Sequence, residues 1–188
     1  MKFEAVVIGV SAGGVEALSV ILVRLPAEFF FPIIIVQHRH PSSDDFLVCL
    51  LNEKCKTKVE QADEKENIVP GIVYIAPANY HLMVEEDRTF SLSVGEHVNY
   101  TRPSIDVLFE TAADVYRERL VGVVLTGANS DGSQGLRKIK ELGGMTVVQD
   151  PATAEAAFMP KSAIAATKVD HIIPLEEIGP FLEKLNRQ

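Results

Sequence analysis

Three short stretches place a serine, a histidine and an aspartate directly after runs of apolar residues. Ser11 follows Val10 in Gly9-Val10-Ser11-Ala12-Gly13-Gly14, His38 follows Phe31 to Gln37, and Asp131 lies in Thr126-Gly127-Ala128-Asn129-Ser130-Asp131-Gly132. These types suffice for an activated nucleophile, a general base and an acid that orients the base. The chain order Ser, His, Asp is no obstacle, because such triads are defined by geometry. Each residue also has a plainer reading. Ser11 could cap the helix after it, or its glycine-rich turn could cradle a phosphate, although neither Gly-Lys-Ser/Thr nor Gly-x-Gly-x-x-Gly occurs there. His38 could be a polar strand-end residue, and His40 shares its side of an extended chain. Asp131 could be a turn residue or the cap of the next helix. Asp106 is a rival acid that could equally serve the first turn of its own helix. His81, His97, His171, Cys49 and Cys55 show no metal-ligand spacing.

The elements that must position these residues alternate. Phe3 to Val10, Phe31 to Gln37, Gly71 to Ala76, Val121 to Thr126, Met145 to Gln149 and Asp170 to Ile173 read as strands, with a further short one at Lys58 to Gln61. Helical patterns lie between them: Val15 to Arg24, Asp44 to Leu51 behind a Ser/Asp cap, Ile105 to Leu120, Leu136 to Leu142, a short piece around Ile164, and Ile178 to Leu185. Leu82 to Glu85 and Thr89 to Val94 alternate around Glu86-Asp87-Arg88 as a hairpin. Continuous apolar strands alternating with helices predict a three-layer, doubly wound, mostly parallel α/β sheet of Rossmann-like type, with an antiparallel hairpin. Ligands bind such sheets beyond the carboxyl ends of the strands, where Ser11, His38 and Asp131 fall.

Composition narrows the function classes. The 188 residues are 47% hydrophobic and 23% charged, which predicts one domain over 1–188 with a sizeable core. No apolar run approaches the ~18–20 residues of a spanning helix, and no signal-peptide pattern opens the chain, so no membrane insertion is expected. The net charge of −8 disfavours nucleic acid as a partner. Two cysteines make no disulfide framework, consistent with a reducing, cytoplasmic setting.

Six ordered motifs carry a resemblance that spans Val7 to about Leu185: GVSAGG (9–14), VQH (36–38), YIAPANYHLMV (74–84), RPSIDVLF (102–109), LTGANSDGSQGL (125–136) and QDPATAEAAFMPKSAI (149–164). Together they resemble the catalytic domain of the CheB chemotaxis receptor methylesterases. The resemblance implies hydrolysis of glutamate γ-methyl esters on chemoreceptors with release of methanol, and in some members deamidation of receptor glutamines. It implies Ser11 as nucleophile, His38 rather than His40 as base, and Asp131 as orienting acid, with no cofactor. Backbone amides of Ala12, Gly13 and Ala128 become the oxyanion-hole candidates. The implied partners are methylated cytoplasmic receptor helices, with chemotaxis kinase or methyltransferase components beyond them. Arg39, Arg102, Arg137 and Lys138 are candidates for a basic docking patch. Two motifs depart from the family pattern: Arg39-His40 follows His38, and Ala128-Asn129 stands where Met-Gly is usual. The receiver domain that precedes this domain in the family is not among the 188 residues, which implies an open Ser11 crevice. The alternatives are a non-catalytic receptor- or kinase-docking module of the same fold, and a phosphate-binding Rossmann-like domain.

Overall fold

A computed structural model describes residues 3–40 and 46–186. Seven parallel strands form the main sheet: β1 (Ala5–Val10), β2 (Ile33–Gln37), β3 (Lys58–Gln61), β4 (Ile72–Ile75), β7 (Leu120–Val124), β8 (Met145–Gln149) and β9 (His171–Ile173). Their order is β3-β4-β2-β1-β7-β8-β9. The antiparallel pair β5 (His81–Val84) and β6 (Phe90–Ser93) stands apart from it, joined through Glu85 to Thr89. Among the described residues six α-helices accompany the strands: α1 (Gly14–Leu22), α2 (Phe46–Lys54), α3 (Ile105–Tyr116), α4 (Ser133–Glu141), α5 (Phe158–Ala166) and α6 (Leu175–Asn186).

The inner strands β1, β2 and β7 are apolar on both faces because helices cover both. Along β1 and β2, Val6, Ile8, Val10, Ile33 and Ile35 join Leu18, Ile21 and Leu182 in one core. The alternate residues Ala5, Val7, Ile34 and Val36 join Leu108, Phe109, Leu136 and Met159 in the other. Each such buried aliphatic side chain contributes about 1.5–3 kcal/mol relative to exposure. The hairpin is fastened to α3, where the Val84 amide donates to Thr111 Oγ1 at 3.2 Å.

Several boundaries differ from the sequence reading. The helix expected over Ile105 to Leu120 ends at Tyr116; Arg117 takes φ 51°, a single 3-10 turn follows, and Leu120 already belongs to β7. The final helix begins at Leu175 and carries Pro180 within it. The short piece around Ile164 is part of the nine-residue α5. The expected Ser/Asp cap before α2 lies outside the described residues.

Candidate active site

β1 pairs with β2 on one side and β7 on the other, so the connections leave the sheet in opposite directions between β1 and β7. A crevice opens at such a switch point. Ser11 follows β1, His38 follows β2, and the 125–132 loop follows β7. The structure thus brings all three strand-end segments to one edge.

Local backbone chemistry shapes the Ser11 turn. Gly13 takes φ 76° as the N-cap of α1, where no side chain caps the helix, so Ser11 is not its capping side chain. The Ser11 amide donates to Thr126 O at 2.9 Å and its carbonyl accepts from Gly14 N at 2.9 Å and Gln37 Nε2 at 3.0 Å. Gln37 Nε2 also reaches His38 O at 3.0 Å, tying the serine and histidine segments together. A Cβ on Gly14 would collide with Gln37 Oε1, which explains a second glycine there. Thr126 Oγ1 donates to Ala12 O at 2.8 Å and accepts from Ala156 N at 2.9 Å, fastening the turn from its other side. Ser11 Oγ has no hydrogen-bond partner among the described residues. Neither do the amides of Ala12, Gly13 and Ala128, of which Ala12 and Ala128 are exposed.

Asp131 is the opposite case. It is fully buried, and six donors converge on its carboxylate. Oδ2 receives His38 Nε2 at 2.8 Å, Ile105 N at 2.6 Å and Thr101 Oγ1 at 3.2 Å. Oδ1 receives Ser104 Oγ at 2.8 Å, Asn99 Nδ2 at 3.0 Å and Asp106 N at 3.1 Å. Asp131 does not cap the helix that follows it, whose N-cap is Gly132 at φ 91°. It sits on the N-terminus of α3 instead, taking the first free amides of that helix, where a negative charge is favoured. Burial alone would push its carboxyl up, but the hydrogen bonds from His38, Asn99 and Ile105 outweigh burial and hold it at about 2. Because an ionised carboxylate only accepts, His38 Nε2 carries a proton; in the neutral imidazole Nδ1 is then the basic lone pair. Asn129 Nδ2 stands 3.5 Å from Nδ1, at the limit of a hydrogen bond. The expected approach of His38 to Asp131 is thus present, whereas His38 and Ser11 Oγ are not hydrogen-bonded to each other.

Asp106, the rival acid, lies in the first turn of α3 behind Asp131. Its Oδ1 accepts from Gly135 N at 2.7 Å and its Oδ2 from Asn99 Nδ2 at 2.8 Å, so one Asn99 nitrogen serves both carboxylates. Burial, reinforced by the nearby charges of Asp131 and Glu110, pushes Asp106 up to about 6 against the hydrogen bonds from Gly135 and Asn99. The loop that delivers Asn99 is pinned twice. Arg102 donates to Val94 O, Gly95 O and Asn79 Oδ1, and His81 bridges Ser104 N on its Nδ1 and Glu96 O on its Nε2. His81 therefore acts as a buried strut, and His40 is exposed. Of the basic docking candidates, Arg102 is occupied in the loop, Lys138 pairs with Asp114, Arg137 stands 3.6 Å from Glu141, and Arg39 reaches Ala76 O.

The chain as a whole has relatives among known proteins. The family model described as CheB methylesterase matches residues 6–182. The chain belongs to the CheB methylesterase family. A crystal structure of the Thermotoga maritima CheB methylesterase catalytic domain superposes with a TM-score of 0.93 at 34% identity, covering 98% of this chain and all of that one. A Leptospira interrogans protein, provisionally named protein-glutamate methylesterase/protein-glutamine glutaminase, is 57% identical over the whole chain and 97% of its own length. The Thermotoga maritima protein-glutamate methylesterase/protein-glutamine glutaminase is 35% identical over 97% of this chain, which spans 54% of that relative. Family membership makes the protein a carboxylic ester hydrolase. No helix among the described residues is long and apolar enough to cross a membrane.

Sequence reasoning missed the shell around Asp131. Asn99 and Thr101 come from an irregular loop with no periodic signal, and their partner is about thirty residues away. Ser104 and Asp106 lay inside a motif that read as a helix start, and Gln37 inside the end of a strand, so position supplied a bland reason for each.

Proposed function

We propose that the chain is a serine hydrolase that removes methyl groups from glutamate γ-methyl esters of chemoreceptors. In this reading Ser11 is the nucleophile, His38 the base and Asp131 the acid that orients it. The observation that carries the reading is the His38–Asp131 hydrogen bond of 2.8 Å, held by a saturated buried carboxylate beside a serine whose hydroxyl is uncommitted.

In this reading the two ring nitrogens divide the work, as the Nε2–Asp131 contact supports. Nε2–H stays on Asp131 while Nδ1 takes the proton from Ser11 Oγ as the oxygen attacks the ester carbonyl. Closing Ser11 onto Nδ1 is the tightening that such bonds undergo when substrate binds. The tetrahedral oxyanion is received by amides of Ala12, Gly13 and Ala128, each such donor contributing about 2.7–4 kcal/mol. His38 then protonates the leaving methoxide, methanol departs and a glutamyl ester of Ser11 remains. Water, deprotonated by the same Nδ1, hydrolyses it to free glutamate. With a glutamine side chain the identical sequence expels ammonia, the second activity in the names of the relatives. The substrate is a methylated cytoplasmic receptor helix, and chemotaxis kinase or methyltransferase components are further partners.

Methanol release from a methylated receptor tests the reading. Wild type turns over, and Ser11→Ala loses at least about 10³-fold in kcat, because removal of a nucleophile removes the covalent route. Its melting temperature stays within the range of a neutral surface change. A Ser11→Ala variant within a few fold of wild type would remove Ser11 from the mechanism.

A further inference from the structure

We propose that Tyr100 is a specificity-determining residue that grips the polypeptide segment carrying the methyl ester. The proposal rests on the methylesterase reading above and adds a substrate contact to it.

Val98 and Thr101 exchange both backbone hydrogen bonds, at 3.1 and 2.9 Å, around a two-residue turn. The central residues Asn99 and Tyr100 take φ 51° and 63°. Positive φ at both positions is the pattern of a type I′ turn, for which Asn-Gly is the strongly preferred pair. Asparagine at the first position follows that preference. Tyrosine at the second does not, since a bulky side chain at positive φ is an outlier. Nothing in the fold compensates for it, because Tyr100 is 100% exposed. A local backbone rule is thus broken at this residue with no packing gained in return, and such violations collect at functional sites.

The position of the turn says which function. Asn99 points inward to the Asp131 carboxylate, while Tyr100, its neighbour in the same two-residue turn, stands fully in solvent. A cleft of about 130 Å³ is lined both by the base, His38, and by this turn and its neighbours, His97, Tyr100 and Arg102. A glutamyl ester that reaches His38 along this cleft meets Tyr100. Tyrosine suits such a contact because it offers a large, rigid ring with an apolar face and a polar tip, and it loses little freedom on binding. A polypeptide laid across the cleft covers a ring that is wholly in water in the free protein.

Tyr100→Gly separates the contact from the fold, because it turns the pair into Asn-Gly. The variant is expected to melt no lower than wild type. On a methyl-esterified receptor fragment its KM rises at least about fivefold, while kcat changes by less than about twofold, the signature of lost ground-state and transition-state binding alike. On a small ester such as methyl acetate, which cannot reach the rim, kcat/KM changes by less than about twofold. Tyr100→Phe keeps most of the affinity. A KM on the receptor fragment within about twofold of wild type overturns the proposal, as does an equal loss on the small ester, which makes Tyr100 merely structural. A wild-type protein that releases no methanol overturns the methylesterase reading and this contact with it. A working wild type with an unaltered Tyr100→Gly overturns the contact alone.

Discussion

The two ends of the candidate triad are built in opposite ways. At the Ser11 end, glycines and free amides surround a hydroxyl with no partner among the described residues. At the Asp131 end, six donors saturate a fully buried carboxylate. Both ends are rigid in backbone, through Gln37 and Thr126 on one side and the start of α3 on the other. The difference lies in what is left unsatisfied. Substrate can enter only where polar groups still lack partners, and the base can be aimed only by a group that has no other use. An uncommitted nucleophile beside a fully committed acid meets both needs.

The largest effect expected from breaking the acid end is on turnover. Asp131→Asn replaces an acceptor-only group by one with two N–H donors, which cannot receive His38 Nε2–H and the α3 amides at once. The imidazole is then free to adopt the wrong tautomer, and kcat falls by about 10³–10⁴-fold. Steady-state kinetics check this, and a loss below about tenfold would detach Asp131 from His38 function.

Asn99→Ala is intermediate. It leaves Asp131 its other donors but removes the nitrogen that stands between two carboxylates. Their mutual repulsion grows, Asp131 shifts, and kcat falls by roughly 10–100-fold with KM nearly kept, as for a positioning residue. The acid limb of the kcat pH profile moves with it, which loss of a purely structural contact would not do.

The smallest effect belongs to Asp106 and is read in stability. Its folded carboxyl titrates at about 6, above the ordinary 3.8, so the folded state holds a proton there that the unfolded chain has released. The contribution of Asp106 is therefore most favourable below about 4 and is lost as pH rises through about 6, at roughly 1.4 kcal/mol per pH unit. Denaturant unfolding of wild type and Asp106→Asn should show the difference between them shifting in favour of wild type as pH falls from about 6 to about 4. Asp131 runs the other way. Held at about 2, it stabilises above about 4, and that contribution is lost only as pH falls through about 2.

Much of the fold was legible because it depends on neighbours in the chain. β-branched runs, glycine turns and the 3.6-residue pattern marked β1, β2, β7, β8, α1 and α3 to within a few residues, and the hairpin through Glu86-Asp87-Arg88 followed from alternation. The end of α3 was not legible, since Arg117, Glu118 and Arg119 are all compatible with a helix and the chain turns there only to feed β7. Likewise the first three residues of α6, Leu175 to Glu177, lay outside the expected helix, although Pro180 inside that helix did not interrupt it.

Local pattern was enough to put Ser11, His38 and Asp131 at the ends of buried strands, because strand ends follow from runs of apolar residues and the switch point follows from alternation of elements. Packing made the remaining choices: that Asp131 serves α3 rather than the helix after it, that Nε2 of His38 faces the acid, and that one Asn99 nitrogen bridges Asp131 and Asp106. The donors and acceptors involved are far apart in the chain and meet only when β1, β7 and α3 come together. A buried charge must collect its partners from whatever segments surround it, and sequence spacing carries no record of which those will be.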